Sequence, residues 1–211
     1  MIEDLLLIGT NHDDRLGPFR LKKILDWYNP TIISIECTQK MYNKSLHAQK
    51  NLDFAKGNLY LQKESLGLSD EIIKSLLAVS TTAKYELRIA RNYSQENDVL
   101  VVPVETIESR KNTENDGSSD SQKLVPLVYD QYELDFSYFD PIILSSKQEN
   151  ILLKRDEVMA SNIRKLSGRV AHISGLAHIF AHYNNLYSQL SDLNPRRMIL
   201  YQADELNKLK N

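Results

Sequence analysis

The stretch Leu5-Leu6-Leu7-Ile8-Gly9-Thr10-Asn11-His12 decides how the rest of the chain is interpreted. Its four consecutive large apolar residues predict a strand buried on both faces, and the glycine lets the backbone turn where that strand ends. His12 then follows the C-terminal end of the strand, which is the edge where open α/β sheets bind ligands. A second segment, Gly175-Leu176-Ala177-His178, repeats the Gly-x-x-His spacing after another apolar stretch.

Short apolar runs alternate with amphipathic segments along the chain, which is the pattern of an α/β protein. The amphipathic segment after His12 has apolar residues at helical spacing: Phe19, Leu21, Ile24, Leu25 and Tyr28. It ends at Asn29-Pro30 and joins the first two strands into a right-handed parallel βαβ unit. Pro103 cannot donate to a sheet, so its strand is expected at an edge or ends its pairing there. The predicted strands are Leu5–Ile8, Thr31–Ile35, Val99–Val104, Arg169–Ser174 and Arg197–Tyr201. A helix is predicted from Gly175 to about Leu190, between the last two strands.

Length and composition predict one domain over residues 1–211, because 211 residues can form one good core with a sizeable insertion. The formal net charge of −2 lacks the basic character of nucleic-acid-binding proteins. No signal peptide and no apolar run of membrane-spanning length is recognised, so we expect a cytoplasmic protein without a membrane span. The single cysteine, Cys37, agrees with a reducing compartment.

Two segments are interpreted as additions to the basic fold. Residues 39–67 are polar with scattered apolar positions, and we interpret them as a mostly helical cover over the site. Residues 108–123 contain no large apolar side chain, so they cannot bury enough surface to offset their ordering entropy. This insert is expected to be a mobile solvated loop, with a lid as the alternative interpretation.

Two predicted helices carry charged residues beside their apolar sides. The first runs from Ser69 or Asp70 to about Glu96, and Glu86 borders its apolar side. The second opens with a capping box at Ser146 and contains Arg155 between apolar positions of its buried stripe. A guanidinium on the buried side requires a carboxylate or an anionic ligand, and Glu36, Glu86 and Glu105 are the candidate partners.

Four ionisable residues follow the C-terminal ends of separate predicted strands: His12, Glu36, Glu105 and His178. If the strands are parallel neighbours, these side chains converge at one edge. Imidazoles with carboxylates suit a divalent transition metal such as Zn²⁺, Mn²⁺ or Co²⁺, and a catalytic site keeps one position open for water. His182 shares a helix with His178 but does not complete a zincin pattern, and His47 and His172 are interpreted as structural or surface residues.

The chain resembles the TraB family, which includes the Tiki and GumN proteins. Three stretches carry the resemblance: Leu7–His12 with Ile33–Glu36, Tyr85–Ala90 with Val101–Glu105, and Arg155–Ala160 with Gly175–His178. The resemblance implies a three-layer α/β/α sandwich around a mostly parallel or mixed central sheet, as in erythromycin-esterase-like and ChaN-like proteins. By carry-over it implies site roles for His12, Glu36, Arg155 and His178.

The leading hypothesis is a metal-dependent hydrolase of peptide or ester bonds that acts on a peptide or a small molecule. In it His12, Glu36 and His178 hold the ion, Glu105 or Glu86 is the general base, and Arg155 binds a substrate carboxylate or the oxyanion. The alternative is a regulatory or ligand-binding protein that retains the fold without turnover. A cysteine hydrolase using Cys37 is a third hypothesis, but strand alternation directs Cys37 away from Glu36.

Overall fold

The structure is a computed structural model that describes residues 1–12, 14, 16–45, 85–109, 146–180 and 184–206, with positions 60, 63, 65, 69 and 70. Most of the predicted cover at 39–67 lies outside these ranges. So do nearly all of the predicted insert at 108–123 and both His47 and His182.

The strands and helices follow the predicted alternation along the chain. The strands are β1 (Ile2–Thr10), β2 (Ile32–Thr38), β3 (Leu100–Glu105), β4 (Gly168–Gly175) and β5 (Arg196–Ile199). The α-helices with defined bounds are α1 (Gly17–Tyr28), α2 (Tyr85–Asn97), α3 (Ser146–Ile163), α4 (Ala177–Phe180) and α5 (Leu186–Gln189). Two 3₁₀ helices span Ser191–Leu193 and Leu200–Glu205, and residues 39–45 are also helical.

All strand pairs are parallel, in the order β3-β2-β4-β1-β5. The expected α/β class is therefore confirmed. The first two strands are parallel but not neighbours, because β4 lies between them and pairs with both. Since every strand runs the same way, the C-terminal ends of all five strands lie at one edge of the sheet.

Among the described residues, β3 is an edge strand and pairs with β2. This position agrees with the expectation from Pro103, because a residue without an N–H is tolerated where no second neighbour needs a donor. The pairing of β2 with β3 shifts register between Ile35 and Thr38. Beyond this shift Thr38 is opposite Glu105, at the edge where the site residues lie.

Alternate residues of the sheet enter two separate apolar clusters. In β1, Leu6 and Ile8 belong to a cluster that includes buried residues of α1 and α2. Their neighbours Leu5 and Leu7 belong to a second cluster that includes α3, α4 and α5. The period of two in a strand sends successive side chains to opposite faces, so the run of four apolar residues fills both clusters.

Helix α1 differs from the prediction at one position. Phe19 was expected on the buried side, but it is 66% exposed, and the buried neighbour is Arg20 at 5%. Arg20 donates to Asp14 at 3.1 Å and to Asp204 at 2.7 Å, and its guanidinium lies 4.1 Å from the centre of the Tyr201 ring. An arginine can replace the expected aromatic residue here because its charge is paired.

The C-terminal part of the chain also departs from the prediction. One helix was expected from Gly175 to Leu190, but residues 184–185 are not helical and separate α4 from α5. Asn185 begins α5, and its side chain accepts a hydrogen bond from the Ser188 amide at 3.0 Å. The last strand is β5, which ends at Ile199 rather than at Tyr201, and the chain continues as a 3₁₀ helix.

Candidate functional site

The predicted site residues are placed by the C-terminal ends of neighbouring strands. Glu36 lies near the end of β2, Glu105 is the last residue of β3, and His178 follows β4 by three residues. Thr10, the last residue of β1, pairs with Gly175, so His12 follows β1 at the same edge of the sheet. The parallel sheet thus brings to one edge residues that are far apart in sequence.

Arg155 of α3 connects two of these carboxylates. Its Nε atom donates to Oε1 of Glu105 at 2.6 Å, and its Nη2 atom donates to Oε1 of Glu36. The Arg155 side chain is 11% exposed, and that of Glu105 is fully buried. Two of the three partners expected from the sequence therefore bind Arg155. A planar guanidinium suits this task because its donors point in fixed directions toward separate acceptors.

His178 lies between two carboxylates. Its Nδ1 atom is 2.6 Å from Oδ1 of Asp156, and its Nε2 atom is 3.3 Å from Oε1 of Glu36. The second oxygen of Glu36 accepts the backbone N–H of Gly175 at 2.6 Å. We call the five residues Glu36, Glu105, Arg155, Asp156 and His178 the ion cluster.

The electrostatics of the ion cluster favour its charged form. Burial alone would lower the pKa of His178, but the charge of Glu36 and the hydrogen bond to Asp156 outweigh burial and raise it to about 9. Burial alone would raise the pKa of Glu36, yet His178, Arg155 and the Gly175 amide hold it well below the usual range. The cluster therefore contains an imidazolium, a guanidinium and ionised carboxylate at neutral pH.

His12 forms a separate pair with Glu86 of α2. Its Nδ1 atom is 2.6 Å from Oε1 of Glu86, and the His12 side chain is 62% exposed while that of Glu86 is 7% exposed. A carboxylate accepts hydrogen bonds, so this contact favours the tautomer with the hydrogen on Nδ1 and the lone pair on Nε2. An exposed imidazole held at one ring nitrogen by a buried carboxylate is the arrangement of a general base.

Tyr85, which precedes Glu86, fixes this pair to the loop after β1. The Tyr85 side chain is fully buried, and its hydroxyl donates to the carbonyl oxygen of Asn11 at 2.9 Å. Gly17 makes room for the ring, since a Cβ atom there would lie 2.4 Å from Tyr85 Cζ. The start of α2 and the residue before His12 are thus joined directly.

His172 and Cys37 make different contacts from those of the ion cluster and of His12. His172 is fully buried and its Nδ1 atom is 3.0 Å from Oγ of Ser34, while burial lowers its pKa to about 4. Cys37 is buried in the apolar cluster that includes α1 and α2. Glu36, by contrast, binds Arg155 of α3. The alternation expected for Glu36 and Cys37 is therefore present, and His172 is a buried residue rather than a surface one.

The three predicted metal ligands do not fit a bound ion in this arrangement. Both nitrogens of His178 face carboxylate oxygens, and both oxygens of Glu36 accept N–H groups. One nitrogen of His12 is bonded to Glu86. Within the described ranges, no group of three or more histidine, cysteine, aspartate or glutamate side chains is arranged to hold a metal ion. His178 would have to give up one of these contacts and a hydrogen before a ring nitrogen could ligate a metal ion.

Asp156 is a member of the site that the sequence reasoning did not assign. It precedes Met159 by three residues and Ile163 by seven, and all three are fully buried on α3. An aspartate in register with an apolar helical stripe requires a partner, and this spacing was a signal that could have identified it.

Comparisons with known proteins identify no relative: the chain matches no protein-family model, no curated protein and no solved structure. None of the described helices combines the length and apolar composition needed to cross a bilayer.

Proposed function

We propose that this chain is a hydrolase of peptide or ester bonds whose general base is His12, oriented by Glu86. The observation that carries the proposal is the contact of 2.6 Å between an exposed imidazole and a buried carboxylate at the C-terminal edge of a parallel sheet. A buried carboxylate on Nδ1 fixes the tautomer and stabilises the imidazolium that forms when Nε2 takes a proton.

The proposed reaction begins with a water molecule near His12. Nε2 takes a proton from the water, the resulting hydroxide attacks the carbonyl carbon, and the imidazolium returns the proton to the leaving group. In this proposal the carboxylate that assists the base is Glu86 and not Glu105, because Glu105 is buried and bound to Arg155. A metal ion held by His12, Glu36 and His178 stays a prediction from the sequence, and none of the steps above depends on it.

The proposal includes membership of the TraB family and a cytoplasmic setting. Four residues that the resemblance assigns to the site, His12, Glu36, Arg155 and His178, lie at or face the same sheet edge, which supports it. The substrate is proposed to be a peptide or a small-molecule ester, since both have a carbonyl carbon that hydroxide attacks.

A second candidate, a ligand-binding or regulatory protein without turnover, is favoured by one observation. The cations of the ion cluster, Arg155 and His178, are both paired with carboxylates of the protein. Such internal pairing is what a structural ion network requires, and it needs no ligand.

A substrate screen separates the two candidates. The wild type, His12→Gln and a control, Lys22→Gln, are assayed on p-nitrophenyl esters and on a mixed fluorogenic peptide library in the presence of EDTA. Lys22 is a suitable control because it is a partly exposed residue of α1 that pairs with Asp26. We expect hydrolysis by the wild type and by Lys22→Gln but not by His12→Gln. Equal hydrolysis by His12→Gln, or none by the wild type, contradicts the proposal.

A further inference from the structure

We propose that Arg155 is the resident cation of the ion cluster and occupies the position that a divalent metal ion would take between Glu36 and Glu105. The proposal reverses the expectation that Glu36 holds a metal ion together with His12 and His178. It concerns what the cluster binds and does not depend on whether His12 is a catalytic base.

The guanidinium of Arg155 directly contacts both carboxylates, those of Glu36 and Glu105. Nε of Arg155 donates to Oε1 of Glu105, and Nη2 donates to Oε1 of Glu36. Bidentate or forked contacts of this kind are short and charge-assisted, and they need the flat geometry of arginine. The oxygen atoms that would ligate an ion are therefore the atoms that Arg155 holds.

Arg155 and the two carboxylates that it contacts are buried. The side chains of Arg155, Glu36 and Glu105 are 11%, 10% and 0% exposed. A metal ion bound to Glu36 and Glu105 would displace the Arg155 guanidinium from both carboxylates. The guanidinium would then remain buried without these partners. A buried charge deprived of its partner is strongly unfavourable, so a metal ion competes poorly with Arg155.

The formal charges of the ion cluster also disfavour an added divalent ion. Glu36, Glu105 and Asp156 supply three negative charges, against which Arg155 and His178 supply two positive ones. A divalent ion added to this set would give a net positive charge next to two cations. Removal of Arg155 instead takes the bridging guanidinium away from Glu36 and Glu105, and carboxylate oxygens are ligands that divalent metal ions accept.

The test compares metal binding by purified full-length variants. Wild type, Arg155→Ala, Arg155→Lys and a control, Arg164→Ala, are incubated with Zn²⁺ or Mn²⁺, separated from free metal, and analysed for metal content and melting temperature. Arg164 is a matched control because it pairs with the exposed Asp192 at the end of the same helix region. A double variant, Arg155→Ala with Glu36→Gln, tests whether the ion sits on Glu36.

We expect less than about 0.1 equivalent of metal and no metal-dependent rise in melting temperature for the wild type, Arg155→Lys and Arg164→Ala. Arg155→Ala should bind about one equivalent, its melting temperature should rise with added metal, and the double variant should lose both effects. One equivalent on the wild type that Glu36→Gln removes would overturn the proposal. So would a folded Arg155→Ala that binds no metal.

If Arg155→Ala does not fold, the wild type and Arg155→Lys decide the matter. A wild type and a folded Arg155→Lys that both bind no metal, and that melt at the same temperature in EDTA and in Zn²⁺, support a resident cation. A wild type that gains melting temperature in Zn²⁺ through Glu36 contradicts it. These readouts do not use catalysis, so they separate this proposal from that of the His12 base.

Discussion

The Nδ1 atom of His178 lies 2.6 Å from Oδ1 of Asp156, and both side chains are buried, at 3% and 0% exposure. The other nitrogen of the same ring faces Glu36 at 3.3 Å. A histidine buried between two carboxylates is stabilised in its protonated form, which explains why its pKa is raised to about 9 despite burial. The stability of the fold should therefore depend on this proton.

The first prediction concerns alkaline pH. The pKa of His178 is about 9 in the folded chain and 6.5 when unperturbed, so its stabilisation is fully present below about pH 6.5 and is lost as pH rises through 9. We expect the free energy of unfolding to fall by about 3 kcal/mol over this interval, at 1.36 kcal/mol per pKa unit. Urea unfolding at several pH values between 6.5 and 10 measures it. Asp156→Asn should show a smaller fall, and a wild type with constant stability over this range contradicts the prediction.

The second prediction concerns acidic pH and His172. Burial lowers its pKa to about 4, so the unfolded chain binds a proton at this residue between pH 6.5 and 4 that the folded chain does not. His172 should therefore contribute a loss of about 3 kcal/mol of stability as pH falls through this window. His172→Asn, which cannot titrate, is expected to have a shallower acid dependence in the same urea experiment. An identical acid dependence in both proteins would refute the assignment.

The third prediction tests the ion pairs of Arg155. Arg155→Met keeps an aliphatic side chain but leaves Glu36 and Glu105 buried without their cation, and it should reduce the free energy of unfolding by about 3–5 kcal/mol. The control Arg164→Met breaks a more exposed pair with Asp192 and should change stability far less. Thermal and urea unfolding of both variants measures the difference. Equal small losses would show that the Arg155 contacts are not structural.

The fourth prediction concerns the space around Tyr85. A Cβ atom at Gly17 would lie 2.4–2.8 Å from atoms of the Tyr85 ring, so Gly17→Ala must displace a fully buried side chain. Overpacking of this kind should cost about 1–3 kcal/mol and weaken the contact of Tyr85 with Asn11. Gly175→Ala is the control, because its Cβ would meet its nearest atoms at 3.5 Å and 3.8 Å. A Gly17→Ala protein as stable as the wild type would contradict the prediction.

The fold could be predicted where local sequence pattern dominates. The apolar run before Gly9 lies in β1, the helix after it ends at Asn29 in a left-handed conformation, and Pro103 is on an edge strand. The order of the strands could not be predicted, because periodicity shows which residues are buried but not which strands are neighbours. The position of β4 between β1 and β2 is an example, because it depends on tertiary packing.

The sequence predicted where the site residues lie better than it predicted which side chains they pair with. The rule that ligands bind at the C-terminal edge of a parallel sheet brought His12, Glu36, Glu105 and His178 to one edge. Partners such as Asp156 and Glu86 come from helices, whose approach to the edge depends on packing. The expectation of a metal arose because composition alone cannot show that Arg155 already binds both carboxylates.

The cooperation of His12 and Glu86 is measured most directly by a double-mutant cycle. On a substrate from the screen, kcat/KM is determined in EDTA for the wild type, His12→Gln, Glu86→Gln and the double variant. A general base of this kind contributes about 10²–10⁴-fold, so each single variant should lose activity, and the double variant should lose no more than His12→Gln alone. Full activity in His12→Gln, or losses that multiply in the double variant, would contradict the assignment of the pair as one catalytic unit.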